Sequence, residues 1–228
     1  MTVKPEKAPY REWLAYDFTD RKTDRATVAL LWEELRVPFT ITVPDPAALY
    51  IDNMRLELRN APGFRWQSWQ AAAQYCLQQN RNLPEALTWA ETAIALPGIG
   101  QANFATLSTK AQILGKLSRT EEAASVMAAA LESPTASVFE IHQYGRQLLA
   151  QGKPKEALAV FQKNAKRFGD TWPVHVGLAR GYSAVGDYKS ALTHAELALK
   201  QAPDEVNRKS LTDAVTRLKQ GQDMNASR

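Results

Sequence analysis

Four alanines constrain this chain more than any other feature. Ala86 in "LPEALTWAETAI", Ala123 in "TEEAASVMAAAL", Ala157 in "PKEALAVFQKNA" and Ala191 in "YKSALTHAELAL" each follow a turn and open an apolar run, at separations of 37, 34 and 34 residues. Seven residues after each stands Ala93, Ala130, Asn164 or Ala198, so a small residue recurs two helical turns later in every copy. Small side chains along one stripe let two helices approach to about 8–10 Å. Upstream of each alanine runs a second helical pattern: Trp69, Ala72, Ala73 and Cys76; Leu107, Ala111 and Leu114; Ile141, Tyr144, Gly145 and Leu148; Leu178, Ala179 and Tyr182. These positions fall at the i, i+3, i+4, i+7 spacing of one buried helical face. The unit is therefore a pair of antiparallel helices joined by a short turn. Gly152 and Gly186 sit in two of those turns, where a left-handed backbone is cheapest without a Cβ. A single pair cannot bury its own apolar face, so the pairs must stack on one another.

Composition agrees with a globular chain. Of 228 residues, 45% are apolar and 23% charged, and no apolar run reaches the roughly 18 residues of a membrane-spanning helix. Membrane insertion is not expected. Cys76 is alone, which excludes an internal disulfide, and it reads as a small buried apolar side chain. The formal charge is +4, and the excess lies towards the end of the chain, where residues 151–228 hold 13 Lys and Arg against 8 Asp and Glu. These charges are dispersed over helical faces without interleaved aromatics, so nucleic acid is not the expected partner.

With its period of 34 and with Leu178, Ala179, Tyr182, Gly186, Tyr188, Ala191, Ala198 and Pro203 in order, the fourth copy resembles the tetratricopeptide (TPR) repeat at nearly every signature position. The third copy departs modestly, with Asn164 and Gly169 at the late Ala and Pro positions. The second carries Ser118 where the turn glycine belongs, and the first has the longer turn "QQNRNLP". The resemblance implies a mainly α fold: a right-handed α-α superhelix of about four helix pairs over residues 64–203. Residues 204–228 read as a capping helix and tail, with Leu211, Ala214, Val215 and Leu218 on one stripe and Asp204 as the N-cap.

Residues 1–44 differ in kind. "EWLAYDF" and "ATVALLWEELRVPFTITV" are rich in β-branched and aromatic residues and flank the polar turn "TDRKTDR", which predicts a small β-hairpin, expected to pack on the first end of the helical stack. Residues 45–63 form a connector. The strand segments taken with "STKAQIL" and "GLARGYSAVGDYKSAL" are similar to a bacterial family of unassigned function in which a β-rich domain precedes TPR-like repeats. That resemblance implies that the hairpin is the remnant of a larger domain in a truncated product. It also implies a periplasmic or secreted parent, although the sequence as written, with no signal peptide, predicts a cytoplasmic product.

No reactive constellation is visible. His142, His175 and His194 fall on three different helices without metal-ligand spacing, and no motif calls for a cofactor. "GIGQANF" does not follow a strand and reads as an inter-repeat turn, and there is no Ser-His-Asp order or activated Cys. A non-catalytic protein-interaction module is the leading reading. The alternative is a fragment of a hydrolase or carbohydrate-active protein whose catalytic residues lie in the β-rich part.

The TPR resemblance further implies that the first helix of each pair lines a concave groove. The matching positions are Phe139, His142, Arg146 and Leu149 in the third copy, Val176, Arg180, Ser183 and Ala184 in the fourth, and Ser108, Gln112 and Lys116 in the second. Such a groove suits a peptide or protein partner with an acidic group that meets Arg bidentately. The Lys and Asn positions of the two-carboxylate clamp found in chaperone-binding repeats are not supplied. Oligomeric state is not encoded in any motif.

Overall fold

The computed structural model describes residues 2–226, and the chain forms two compact units. The first takes in the chain to Gln101 together with Lys116–Ser118; the second takes in Ala102–Gly115 and the chain from Arg119 onward. Among the described residues there are ten α-helices and one two-stranded antiparallel sheet, and no helix is long and apolar enough to cross a membrane.

In the first unit, strands β1 (Glu6–Thr19) and β2 (Arg25–Thr42) form the expected hairpin. Phe18 pairs with Val28 near the turn and Glu6 with Arg36 at the far end, with the register interrupted on either side of Arg11. The Arg36 guanidinium donates to the Glu6 carboxylate at 2.5 Å across that far end. The strands pair closely with each other; Val28 and Ala29 of β2 are buried, whereas Tyr10, Trp13 and Tyr16 stand exposed, Trp13 by 78%.

Helix α1 (Pro46–Glu57) occupies the segment expected as a connector, followed by a 3-10 turn at Ala61–Phe64. Asp45 caps α1 by accepting from the Ala48 amide at 3.1 Å and also accepts from Arg81 at 2.6 Å. Helices α2 (Trp66–Gln79) and α3 (Leu83–Ala95) form the first pair. Its close-contact stripe is fully buried, with Ala73, Cys76, Ala86 and Ala93 all at zero exposure. Burial pushes the Cys76 thiol up to about 11, so it behaves as an apolar side chain at neutral pH. Arg55 of α1 grips Glu85 of α3 through two bonds of 2.6 Å. The longer turn is made by Asn80 and Asn82, both at positive φ near 50°, a conformation that Asn tolerates better than most residues.

The second unit holds α4 (Phe104–Lys116), α5 (Thr120–Glu132), α6 (Val138–Ala150), α7 (Pro154–Phe168), α8 (Trp172–Ala184), α9 (Tyr188–Lys200) and α10 (Glu205–Lys219). Consecutive helices from α6 to α10 pack side by side, and α6 also lies against α8, so the first helices of the third and fourth pairs are neighbours. This is the helical-repeat arrangement that the spacing implies. Ala130, Ala157, Asn164, Ala191 and Ala198 have zero exposure. Asn164 replaces the late alanine of its copy by donating to the Val138 carbonyl at 3.0 Å. Ser137 and Glu140 form a reciprocal cap at the start of α6. At the other end, Asp204 caps α10 by accepting from the Asn207 amide at 2.8 Å, and Leu211, Ala214, Val215 and Leu218 are buried, as the stripe predicts.

The tightest point of this unit is Phe161 of α7, which is fully buried. Three glycines face its ring. A Cβ added at Gly145 of α6 would lie 2.4 Å from the ring, one at Gly177 of α8 2.6 Å, and one at Gly181 2.9 Å. The missing side chains let a large ring wedge between α6 and α8 while those two helices stay adjacent.

This packing makes Gly145 intolerant of even a methyl group. Gly145→Ala should lower stability by about 1–3 kcal/mol, because the ring has no free space to retreat into, and Phe161→Leu in the same chain should recover part of the loss; thermal melts of the three variants check both. At the α4–α5 turn, Ser118 holds the left-handed conformation, at φ 62°, that Gly152 and Gly186 adopt at 72° and 84° in the later turns. Ser118→Gly should therefore raise stability by about 0.5–1 kcal/mol, as strain relief outweighs the greater freedom of the unfolded chain. A lowered melting midpoint would contradict it.

Candidate partner-binding site

The glycine contacts with Phe161 bring the neighbouring positions of α6 and α8 to one place. His142, Arg146, Val176 and Arg180 line a single cavity of about 310 Å³, at the small end of the range of ligand pockets. The remaining walls come from Trp172 at the start of α8, from Asn207, Ser210, Leu211, Asp213, Ala214 and Arg217 of α10, and from Met224 beyond it.

His142 sits at the base of this arrangement. Its ring is tilted against Phe161 with centroids 5.5 Å apart, and its Nδ1–H donates to the Pro173 carbonyl at 3.1 Å. Burial first, then the charges of Arg180 and Arg146, push its pKa down to about 4. At neutral pH His142 is thus uncharged, and its Nε2 is left as an acceptor.

Arg180 is largely buried, and burial followed by the like charge of Arg146 lowers its pKa, with Asp223 acting in the opposite sense. Its Nη1 donates to Asn225 Oδ1 at 3.2 Å, whereas its Nε is buried with no hydrogen-bond partner. Trp172 Nε1 is in the same condition. A buried donor without an acceptor costs about 1–3 kcal/mol, and here two of them belong to residues that line one cavity. Arg146, by contrast, is exposed. The site therefore offers guanidinium and indole donors, the Asp213 carboxylate on the α10 wall, and an apolar flank at Val176 and Leu211.

The other expected residues lie elsewhere. Phe139 is 60% exposed on α6 but does not line the cavity. Leu149 packs against the buried cluster of α4–α8, and Ser183 is buried, donating to Asp223 at 2.6 Å and accepting from the Met224 amide at 2.9 Å. Ala184 is half-buried. On α4, Ser108 donates to the Ala105 carbonyl at 3.1 Å, Gln112 is half-buried and Lys116 is exposed; none of them lines the cavity. The α10 contribution was not anticipated, yet its signal is present in the sequence: Asn207, Ser210, Ala214 and Arg217 form a helical stripe beside the apolar one.

A second hollow is bounded by Leu131, Gln162, Lys163, Lys166 and Arg167, and two of these cations are matched within the fold. Arg167 donates to the carbonyls of Ser133 and Pro134 at 2.9 Å each, and Lys163 pairs with Glu132. The other two histidines meet: His175 Nδ1 lies 3.1 Å from His194 Nδ1, and His175 Nε2 bonds Asp170. The pair is satisfied when both rings are neutral, with His194 Nδ1–H donating to His175 and His175 Nε2–H donating to Asp170. Burial, with His175 second, lowers the pKa of His194. Among the described residues no three His, Cys, Asp or Glu side chains form a cluster able to hold a metal ion.

No protein-family model matches this chain, and no curated protein matches it. Among solved structures it is similar to a thermophilic TPR protein of Thermus thermophilus, at 18% identity and a TM-score of 0.47 over 77% of this chain and 90% of that one. It is also similar to a TPR protein of Parabacteroides merdae, at 15% identity and a TM-score of 0.48, covering 77% and 71% of the two chains. A third similar structure is YrrB, described as a TPR protein with an unusual peptide-binding site, at 15% identity and a TM-score of 0.42 over 78% and 87%. The assignment of helix pairs rests on the elements described above.

The depressed pKa of His142 has a measurable consequence. The unfolded imidazole binds its proton near pH 6.5 and the folded one only near 4, so the unfolded state holds more protons in between and stability falls as pH drops through that window. Up to roughly 3 kcal/mol is involved. His142→Gln, which keeps a donor for Pro173, should flatten the loss of stability between pH 6.5 and 4. Denaturant titrations at a series of pH values check this, and parallel profiles for the two chains would count against it.

Proposed function

We propose that this chain is a non-catalytic interaction module that binds a peptide or protein partner on the face formed by α6, α8 and α10, anchoring an acidic group between Arg146 and Arg180. The observation that carries the reading is the pair of unpartnered buried donors, Arg180 Nε and Trp172 Nε1, whose side chains line one cavity with Arg146 and Arg217. Two guanidinium groups near each other repel, and burial raises that cost by lowering the effective dielectric. A carboxylate between them removes the repulsion and satisfies the open donors together. The apolar flank at Val176 and Leu211 calls for an aliphatic side chain beside the acidic one. Kinship with the bacterial family in which a β-rich domain precedes TPR-like repeats is part of the same proposal, and the hairpin ahead of the helix pairs supports it.

The test uses an immobilised set of short peptides that carry a side-chain or C-terminal carboxylate next to an apolar residue, with amidated counterparts. The chain should bind acidic members and lose them as salt rises, since exposed charges are screened within about 10 Å at 0.1 M. Arg146→Ala should weaken binding about tenfold or more, in line with about 1.5–3 kcal/mol for a charge-assisted bond, and leave the melting midpoint unchanged, because Arg146 is exposed. Arg180→Ala should weaken binding and lower the midpoint as well, since Arg180 also holds Asn225. Equal binding of acidic and amidated peptides would remove the reading.

A further inference from the structure

The face formed by α6, α8 and α10 already carries a short segment of this chain. Helix α10 ends at Lys219, Gly221 turns the chain at φ 69°, and the three residues Asp223, Met224 and Asn225 run back onto α8. Asp223 Oδ1 accepts from Ser183 Oγ at 2.6 Å, and Ser183 Oγ in turn accepts from the Met224 amide at 2.9 Å. Asn225 Nδ2 donates to the Arg180 carbonyl at 3.0 Å, and its Oδ1 accepts from Arg180 Nη1 at 3.2 Å. The Met224 side chain lines the cavity. An acidic group, an unbranched apolar side chain and a primary amide thus sit in a row on residues of the proposed binding face.

The fit is incomplete in a specific way. Asp223 does not reach Arg180: its Oδ1 is taken by Ser183 and by the amide and side chain of Asn225, at 2.9 and 2.8 Å. Arg180 Nε and Trp172 Nε1 stay without acceptors, and the cavity beside Met224 stays open. A ligand that made the same bonds and also supplied a carboxylate to those donors would hold the face better than the chain's own tail.

We propose that Asp223–Met224–Asn225 is an intrachain occupant of the partner site, and that the partner segment which displaces it has the same chemistry, an acidic residue followed by an unbranched apolar one and an amide. This rests on the groove reading of the preceding subsection. The tail lowers the apparent affinity of every competitor by the fraction of molecules in which it is docked, so a partner must match its contacts and add one to Arg180 Nε. Ser183, buried and bonded only to this segment among the hydrogen bonds of its side chain, serves as the docking post.

The probe is a labelled synthetic peptide of residues 221–228, GQDMNASR, added to the full chain and to the full-length variant Asp223→Ala/Asn225→Ala. Fluorescence anisotropy should show the variant binding the peptide at least tenfold more tightly than the parent, and a peptide with the same two alanines binding neither. Equal affinity for parent and variant, or no binding to a folded variant, overturns the proposal. Should the variant melt at a much lower temperature than the parent, hydrogen exchange in the parent replaces it. Saturation with an acidic peptide from the immobilised set should then speed exchange of the Met224 amide at least tenfold, and unchanged exchange under saturation overturns the proposal. If acidic peptides bind parent and variant alike, the groove reading stands and the tail is only a strap; if they bind neither, the groove reading itself fails.

Discussion

The close approach of α6 and α8 in the second unit depends on one side chain, Phe161. A buried ring between two helices normally holds their axes apart by its own width, but Gly145, Gly177 and Gly181 present no side chain to it, so α6 and α8 remain neighbours across it. The residues beside these glycines are drawn together as a result. Arg146 follows Gly145, Val176 precedes Gly177, and Arg180 precedes Gly181. His142 rests on the same ring and would lie 3.1 Å from a Cβ at Gly177. The packing that closes the core and the packing that assembles the candidate site are therefore the same contacts, and a change in either is felt in both.

The electrostatics of the site follow from that geometry. Burial removes water from Arg180 and His142 alike, and the two respond differently because their intrinsic basicities differ. The imidazole gives up its proton, at a pKa of about 4, while the guanidinium remains charged and keeps an unpaired donor. The face consequently holds fixed positive charge next to a neutral acceptor, with Asp223 acting on Arg180 in the opposite sense and Asp213 on the α10 wall of the cavity. Elsewhere in the unit comparable cations are matched within the fold, as Arg167 is by backbone carbonyls and Lys163 by Glu132. Unmatched donors gathered at one cavity distinguish this face from an ordinary solvated surface.

The helix pairs and most of their close-contact stripes were legible in the sequence, because a spacing of 34 residues and small residues seven apart are local properties that packing merely expresses; Ala123 of the second copy is the exception, only half-buried. Ala157, Ala191 and Ala198 are buried where the period puts them, Gly152 and Gly186 turn left-handed as expected, and Leu211, Ala214, Val215 and Leu218 form the buried stripe of α10. The hairpin was legible too, through its β-branched and aromatic residues on either side of a polar turn. Among the groove positions, His142, Arg146, Val176 and Arg180 were found together because they share one helical face in adjacent repeats.

What only the tertiary structure decided is the part that depends on distant segments meeting. Ser183 looked available from its place on α8 and is instead tied to Asp223, forty residues away along the chain. Phe139, Leu149, Gln112 and Lys116 share the helical register of the site without sharing its cavity, since register fixes a direction around one helix and not which other element arrives there. Arg217 and Met224 enter the site for the complementary reason: α10 and the turn at Gly221 carry them across to α8, and no periodicity within α8 foretells that arrival. The sequence by itself determined a repeating helix pair and the stripe on which its cations lie, because both follow from spacing along one chain segment; the return of Asp223–Asn225 onto that stripe was decided by packing in three dimensions.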